Sequence, residues 1–162
     1  MVSSQDAPAG ALESGLHLKL GSEPADLAHL MRWLVAAFEA ASVSAATSNA
    51  VQIALDEAFA NVLEHGLLMA KPIKVEIDMR AEGDRLAVTI TDDGAPFDPT
   101  KIAEPRLATS LEDARIGGLG IHFIRTLSTA MAYERLAGRN RLRLEFPLTY
   151  GASLDKPVKT EG

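Results

Sequence analysis

Residues 85–99 read RLAVTITDDGAPFDP. The run RLAVTITD alternates at period two, as a half-buried strand does, and two acids, a glycine and two prolines then end it. Just upstream, IKVEIDMRA (73–81) alternates in the same way, and EGDR (82–85) joins the two runs. The pattern predicts a β-hairpin. Just downstream, PTKIAEPRLATSLEDARIGG (99–118) holds two prolines, several charges and no sustained period, which predicts a long loop. Irregular chain of that length inside a compact domain is more often a functional lid or a disordered segment than a plain connection.

Working outward, LHLKL (16–20) alternates with Leu16, Leu18 and Leu20 on one side, a further strand. Ser22 is placed to cap a helix with Pro24 in its first turn and Leu27, Leu30, Met31, Leu34, Val35 and Phe38 at helical spacing. SVSAATS (42–48) separates it from a second helix, capped by Thr47 or Ser48, that runs to about Leu68 with Val51, Leu55, Ala58 and Val62 as its apolar stripe. LGIHFIRTLSTAM (119–131) predicts a third helix, and MAYERLAGRNRLRLEF (131–146) two strands about AGRN. The order strand, two helices, hairpin, loop, helix, hairpin predicts an α+β fold: a largely antiparallel sheet with helices on one face. One domain over 15–148 is expected, with a lid at about 99–117, a disordered segment over 1–14 and a tail over 149–162.

Composition narrows the function. At 162 residues, one domain can bury roughly two thirds of its unfolded surface without a staple. Cysteine is absent, which removes disulfide and thiolate chemistry, and the four histidines are scattered rather than grouped as zinc ligands. A net charge of −6, with acids spread along the chain, argues against the basic surface that nucleic-acid binding needs. MVSSQDAPAGALESG lacks the basic start and apolar core of a secretory signal, and no run of about 18 apolar residues suggests a membrane span. A soluble cytoplasmic protein is expected.

Three stretches carry chemistry. In LDEAFANVLEHG (55–66), about 100° per residue puts Glu57 and Asn61 on one flank, a quarter turn from the apolar stripe. A carboxamide there can ligate a metal and a carboxylate one turn away can accept a proton, although the same pair fits a solvated polar edge. In DDGAPFDP (92–99), an Asp92 fixed at a strand end, with Gly94 allowing close approach, can accept a hydrogen bond from an exocyclic amine such as that of adenine. A bond of that kind contributes roughly 1.5–3 kcal/mol, enough to select a base; the alternative is a turn-forming Asp-Asp-Gly. In GGLGIHFI (117–124), Gly117, Gly118 and Gly120 ahead of an apolar helix offer backbone donors to an anionic phosphate, or simply a flexible helix entry. No Walker A sequence is present.

With EAFAN, DDG and GGLGI in this order, the chain resembles the GHKL ATPase superfamily over about residues 16–147, and within it the anti-sigma factor serine/threonine kinases of bacterial partner-switching systems. The resemblance implies a two-layer α/β sandwich of the Bergerat type with a mostly antiparallel, mixed sheet. It implies ATP or ADP and Mg2+ as cofactors, Asn61 as the magnesium ligand and Glu57 as the residue that orients or deprotonates a partner's serine. It further implies Asp92 as the adenine acceptor, Gly94 as the residue giving room beside the base, and Gly117, Gly118, Leu119 and Gly120 as lid hinge and phosphate cradle. Arg115 would reach the terminal phosphate from the lid. The implied partners are a sigma factor, an anti-anti-sigma (STAS-like) protein and a second copy of the chain, with no direct nucleic-acid or membrane contact. Pro96 and Asn140 depart from the superfamily pattern, which leaves open a non-catalytic module gated by nucleotide, or a scaffold that binds none. His65, one turn past Asn61, is read as a packed or capping side chain that faces the same pocket.

Overall fold

The computed structural model describes residues 10–66, 69, 71–104 and 119–151. Along the chain these form α1 (Ala11–Ser14), β1 (Leu16–Leu20), α2 (Pro24–Ala40), α3 (Ala45–Gly66), β2 (Val75–Glu82), β3 (Arg85–Asp92), a 3-10 turn (Pro99–Lys101), α4 (Leu119–Leu127), β4 (Ala130–Leu136) and β5 (Arg139–Pro147). The five strands make one sheet in the order β1-β2-β3-β5-β4. Every neighbouring pair is antiparallel, so the α+β expectation holds and the sheet is antiparallel throughout rather than mixed.

Strand alternation sorts the two faces. Val75, Ile77 and Met79 of β2, Leu86, Val88 and Ile90 of β3, and Leu144 and Phe146 of β5 form one core with Leu30, Leu34 and Phe38 of α2, Leu55 and Phe59 of α3, and Ile121 and Ile124 of α4. Each such large side chain contributes about 1.5–3 kcal/mol by leaving water, and this burial fixes the register, since a one-residue slip would turn the row outward. The alternate residues carry charge instead: Arg143 pairs with Glu82 at 2.7 Å, Arg85 with Glu145 at 2.9 Å, and Arg141 with Glu134 at 3.1 Å.

Several ends differ from expectation, each because a distant partner wins over a local signal. Order begins before Gly15, since α1 buries Ala11 and Leu12. Glu23, not Ser22, precedes α2, its N–H donating to Asp26 Oδ2 at 2.9 Å, while Ser22 Oγ accepts the Ile73 N–H at 3.1 Å. α3 starts at Ala45, with Ser44 Oγ accepting from the Thr47 N–H at 3.3 Å, and Thr47 itself is buried, donating to the Pro147 carbonyl at 2.9 Å. α4 ends at Leu127 because the Thr129 N–H donates to Glu145 O at 2.8 Å and the chain then enters β4. The start of the expected tail is tied down: Ser44 N–H donates to Thr149 O and Gly151 N–H to Ser42 O, both at 2.8 Å.

One turn helps to position the site. Ala137 (φ 50°) and Gly138 (φ 78°) form the two-residue link between β4 and β5, the left-handed pair a tight hairpin requires. This leaves Asn140 inside β5, directly opposite Asp92 on β3. Among the described residues no helix is long and apolar enough to cross a membrane.

Candidate functional site: a cleft between a helix and the end of a strand

One cleft, holding about 480 Å³ of empty space, opens between the C-terminal half of α3 and the ends of β3, β4 and β5. Asn61, Val62 and His65 line it from α3, as the helical stripe of buried Val51, Leu55 and Ala58 requires. Asp92, Gly94 and Phe97 line it from the strand exit, Ile121 from α4, and Tyr133 and Asn140 from the last hairpin. Asn61 and Asp92, 31 positions apart in the chain, thus face the same space.

Asp92 is the most constrained group. It is 7% exposed, and its Oδ1 accepts from the Gly94 N–H and from Asn140 Nδ2, both at 2.9 Å. Burial pushes its carboxyl above the ordinary value, against the pull of the Asn140 and Gly94 hydrogen bonds and the positive field of Arg135. Oδ2 has no hydrogen-bond partner among the described residues. Gly94 is needed for closeness: a Cβ there would lie 2.8 Å from Asp92 Oδ1 and 3.1 Å from Ile73 Cδ1.

The neighbouring Asp93 has a different task. It accepts from the Lys74 N–H at 2.8 Å and pairs with Lys71 at 3.1 Å, and the Lys74 bond leads in holding its carboxyl below the usual range. One acid of the pair faces the cleft and the other pins the loop to the start of β2.

His65 stacks on Phe97 with ring centroids 3.9 Å apart, so it both faces the pocket and is packed. Beyond Phe97, Asp98 Oδ1 accepts from the Thr100 N–H at 3.0 Å and caps the 3-10 turn. Arg125 of α4 donates to the carbonyls of Pro99 (3.1 Å) and Thr100 (3.0 Å), tying the start of the expected lid to α4. Residues 105–118, including Arg115, Gly117 and Gly118, lie outside the described residues.

Glu57 does not line the cleft. It lies beside Gly120 in the first turn of α4, where an added Cβ would collide with Glu57 Oε2 and approach its Cδ to 3.2 Å. Leu119 is exposed at the start of that helix and also stands outside the cleft lining. The structure therefore brings together Asn61, Asp92 and Gly94, and sets Glu57 and Gly120 against each other at the neighbouring helix start.

Asn140, which sequence reasoning treats only as a departure, is a buried member of the site, and Tyr133, Arg135, Phe97 and Arg125 went unnoticed. The signal for Asn140 was the hairpin count: a turn at Ala137–Gly138 puts it in the strand, but only the β3–β5 register sets it opposite Asp92. The described residues hold no cluster of three metal-ligating side chains. Asn61 offers an oxygen donor at the cleft with no side-chain partner among the described residues, which fits a hard cation that keeps several waters and takes its remaining ligands from phosphate.

An antiparallel sheet covered by helices, with a carboxamide and a buried carboxylate lining one cleft, is the arrangement expected of an ATPase-type nucleotide-binding domain. The sequence profile of the histidine kinase-like ATPase domain matches residues 20–146, and the protein belongs to that family. Among curated proteins, the chain is 36% identical over 89 residues to the serine/threonine-protein kinase BtrW of Bordetella bronchiseptica. The match covers 55% of this chain and 63% of that relative.

Proposed function

We propose that the protein is a Mg2+- and ATP-dependent protein serine/threonine kinase that acts as an anti-sigma factor in the cytoplasm. It sequesters a sigma factor, works as a homodimer and phosphorylates an anti-anti-sigma (STAS-like) partner on serine or threonine. The observation that carries this reading is the convergence of Asn61 and Asp92 on one cleft, with Glu57 a single helical turn before Asn61. The family match and the likeness to a serine/threonine kinase support it.

In this reading Asp92 Oδ2 accepts from the exocyclic amine of the base, while Ile73, Ile90 and Ile121 cover its faces. The His65–Phe97 stack closes one wall and keeps water from that hydrogen bond. Asn61 holds the magnesium ion, which when bound neutralises charge on the phosphates. Glu57 takes the proton from the incoming hydroxyl of the partner's serine and thereby raises its nucleophilicity. Gly120 permits that carboxylate to lie against the start of α4.

The seat of Glu57 outside the cleft lining favours a second reading, in which nucleotide only sets the shape that grips a partner and no phosphate moves. The two separate in a purified mixture of the chain, a STAS-like partner, magnesium and ATP. The kinase reading expects phosphoserine or phosphothreonine on the partner, abolished by Glu57→Gln. A partner that stays unmodified while ADP binds the chain establishes the second reading instead.

A further inference from the structure

The last hairpin builds a hydrogen-bond network around Asn140 that leaves its carboxamide only one orientation. Asn140 Oδ1 accepts from the Tyr133 hydroxyl at 2.8 Å and from Arg135 Nη1 at 2.7 Å. Asn140 Nδ2 donates to the Ala95 carbonyl at 2.8 Å and to Asp92 Oδ1 at 2.9 Å. Arg135 can only donate and a backbone carbonyl can only accept, so a flipped amide would face a donor with a donor and an acceptor with an acceptor. Both protons and both lone pairs of the amide are used. Although Asn140 lies in the cleft lining, it has nothing left to offer a ligand.

The consequence falls on Asp92. Two fixed donors, the Gly94 N–H and Asn140 Nδ2, converge on the same oxygen, Oδ1. The side chain is therefore held with Oδ2 turned to the cleft as a lone acceptor. Arg135 Nη1 also donates to the Gly94 carbonyl at 3.3 Å, so one guanidinium fixes both the amide and the loop that supplies the second donor. The Tyr133 hydroxyl proton is already spent on Asn140.

We propose that Asn140, locked by Tyr133 and Arg135, is the positioning residue that makes this cleft selective for 6-aminopurine over 6-oxopurine nucleotides. It acts through Asp92 and does not touch the base. This rests on the reading that a purine lies against Asp92, and it goes further by assigning the selectivity to a network on the opposite hairpin. A 6-oxopurine presents a carbonyl oxygen where a 6-aminopurine presents an amine, and two acceptors facing each other without a shared proton in a desolvated site are costly.

The lock has a consequence that a loose Asp92 would not share. In Asp92→Asn the new amide must turn its carbonyl toward the two fixed donors, which leaves its NH2 facing the cleft. The site then presents a donor, and its preference inverts toward the 6-oxopurine.

The test measures dissociation constants of the full chain for ADP and IDP by calorimetry, with melting temperature as a check on folding. Wild type is expected to prefer ADP by about tenfold or more, the worth of one charge-assisted hydrogen bond. Asp92→Asn is expected to prefer IDP. The double variant Tyr133→Phe/Arg135→Met keeps Asn140 but removes both donors to its Oδ1, and its ADP-to-IDP ratio is expected to fall to within about threefold of one. Asn140→Leu should do the same. If the double variant retains the wild-type ratio while Asp92→Asn loses its ADP preference, the lock is idle and the proposal is overturned with the purine site intact. If wild type binds neither nucleotide, or Asp92→Asn binds ADP as wild type does, the purine site itself is wrong and the proposal goes with it.

Discussion

The two ends of the cleft are built differently. At the strand end, Asp92, Asn140, Tyr133, Arg135 and Gly94 form a closed set of hydrogen bonds between 2.7 and 3.3 Å in length. At the helix end Asn61 lines the cleft and Glu57 lies just outside it; neither has a side-chain hydrogen-bond partner among the described residues, and Glu57 is set by its packing against Gly120. The strand end sits on paired backbone and can be preorganised without ligand. The helix end offers groups whose geometry a charged ligand must complete. In the proposed reading, recognition of the base is separable from arrangement of the phosphates, and substitutions at the two ends should fail in different assays.

The largest expected effect is at the helix end. Glu57→Gln should lower phosphate transfer to a partner by about 10²- to 10⁴-fold, the usual worth of a general base, while ADP affinity stays within about twofold. Equal loss of binding would erase the contrast between the ends. Asp92→Asn should do the reverse, weakening ADP by about 10- to 100-fold. Only ionised Asp92 accepts from an amine without competition from its own proton, so ADP affinity of wild type should fall as pH drops through the raised pKa of Asp92. Affinity that stays flat as pH falls through that raised value would contradict the assigned acceptor.

Stability should respond with the opposite sign. Folded Asp92 keeps its proton above 3.8, the value of the free side chain, so its contribution favours the folded state below that pH and is lost as pH rises through the higher folded value. Removing it in Asp92→Asn should flatten that part of the profile in the absence of nucleotide. Gly120→Ala sharpens the comparison further: its Cβ would displace the flexible end of Glu57 rather than backbone, so transfer should fall about tenfold or more while the melting temperature moves by only a few degrees. Lys71→Ala should have the smallest effect. It removes the half-exposed Asp93 partner and should cost no more than about 1 kcal/mol in denaturant unfolding, because Asp93 retains the Lys74 N–H.

The hairpin of β2 and β3 was legible because its period-two pattern is local and its register is decided by one buried face. The same held for the helical stripe that turns Asn61 to the cleft, and for Asp92 at the strand exit. The ends that moved depended on contacts across the chain. Thr47 entered α3 instead of capping it because Pro147, 100 residues on, accepts its hydroxyl proton. Met131 went into β4 because β5 supplied a partner, and helical spacing could not foresee that pairing. The site shows the same division. Asp92 and Gly94 carry their chemistry in three consecutive residues, whereas Asn140 acquires its meaning only when the β3–β5 register sets it against Asp92. The sequence pattern sets Glu57 on one flank of α3 with Asn61, whereas in the structure only Asn61 lines the cleft, and the contact of Glu57 with Gly120 comes from the way α4 packs on α3.

The most direct measurement is a crystal structure of the chain grown with ADP and magnesium. The account predicts the adenine amine within hydrogen-bond distance of Asp92 Oδ2 and the phosphates extending along α3 to Asn61. ADP seated elsewhere, or Asn61 and Asp92 bordering different molecules, would contradict it.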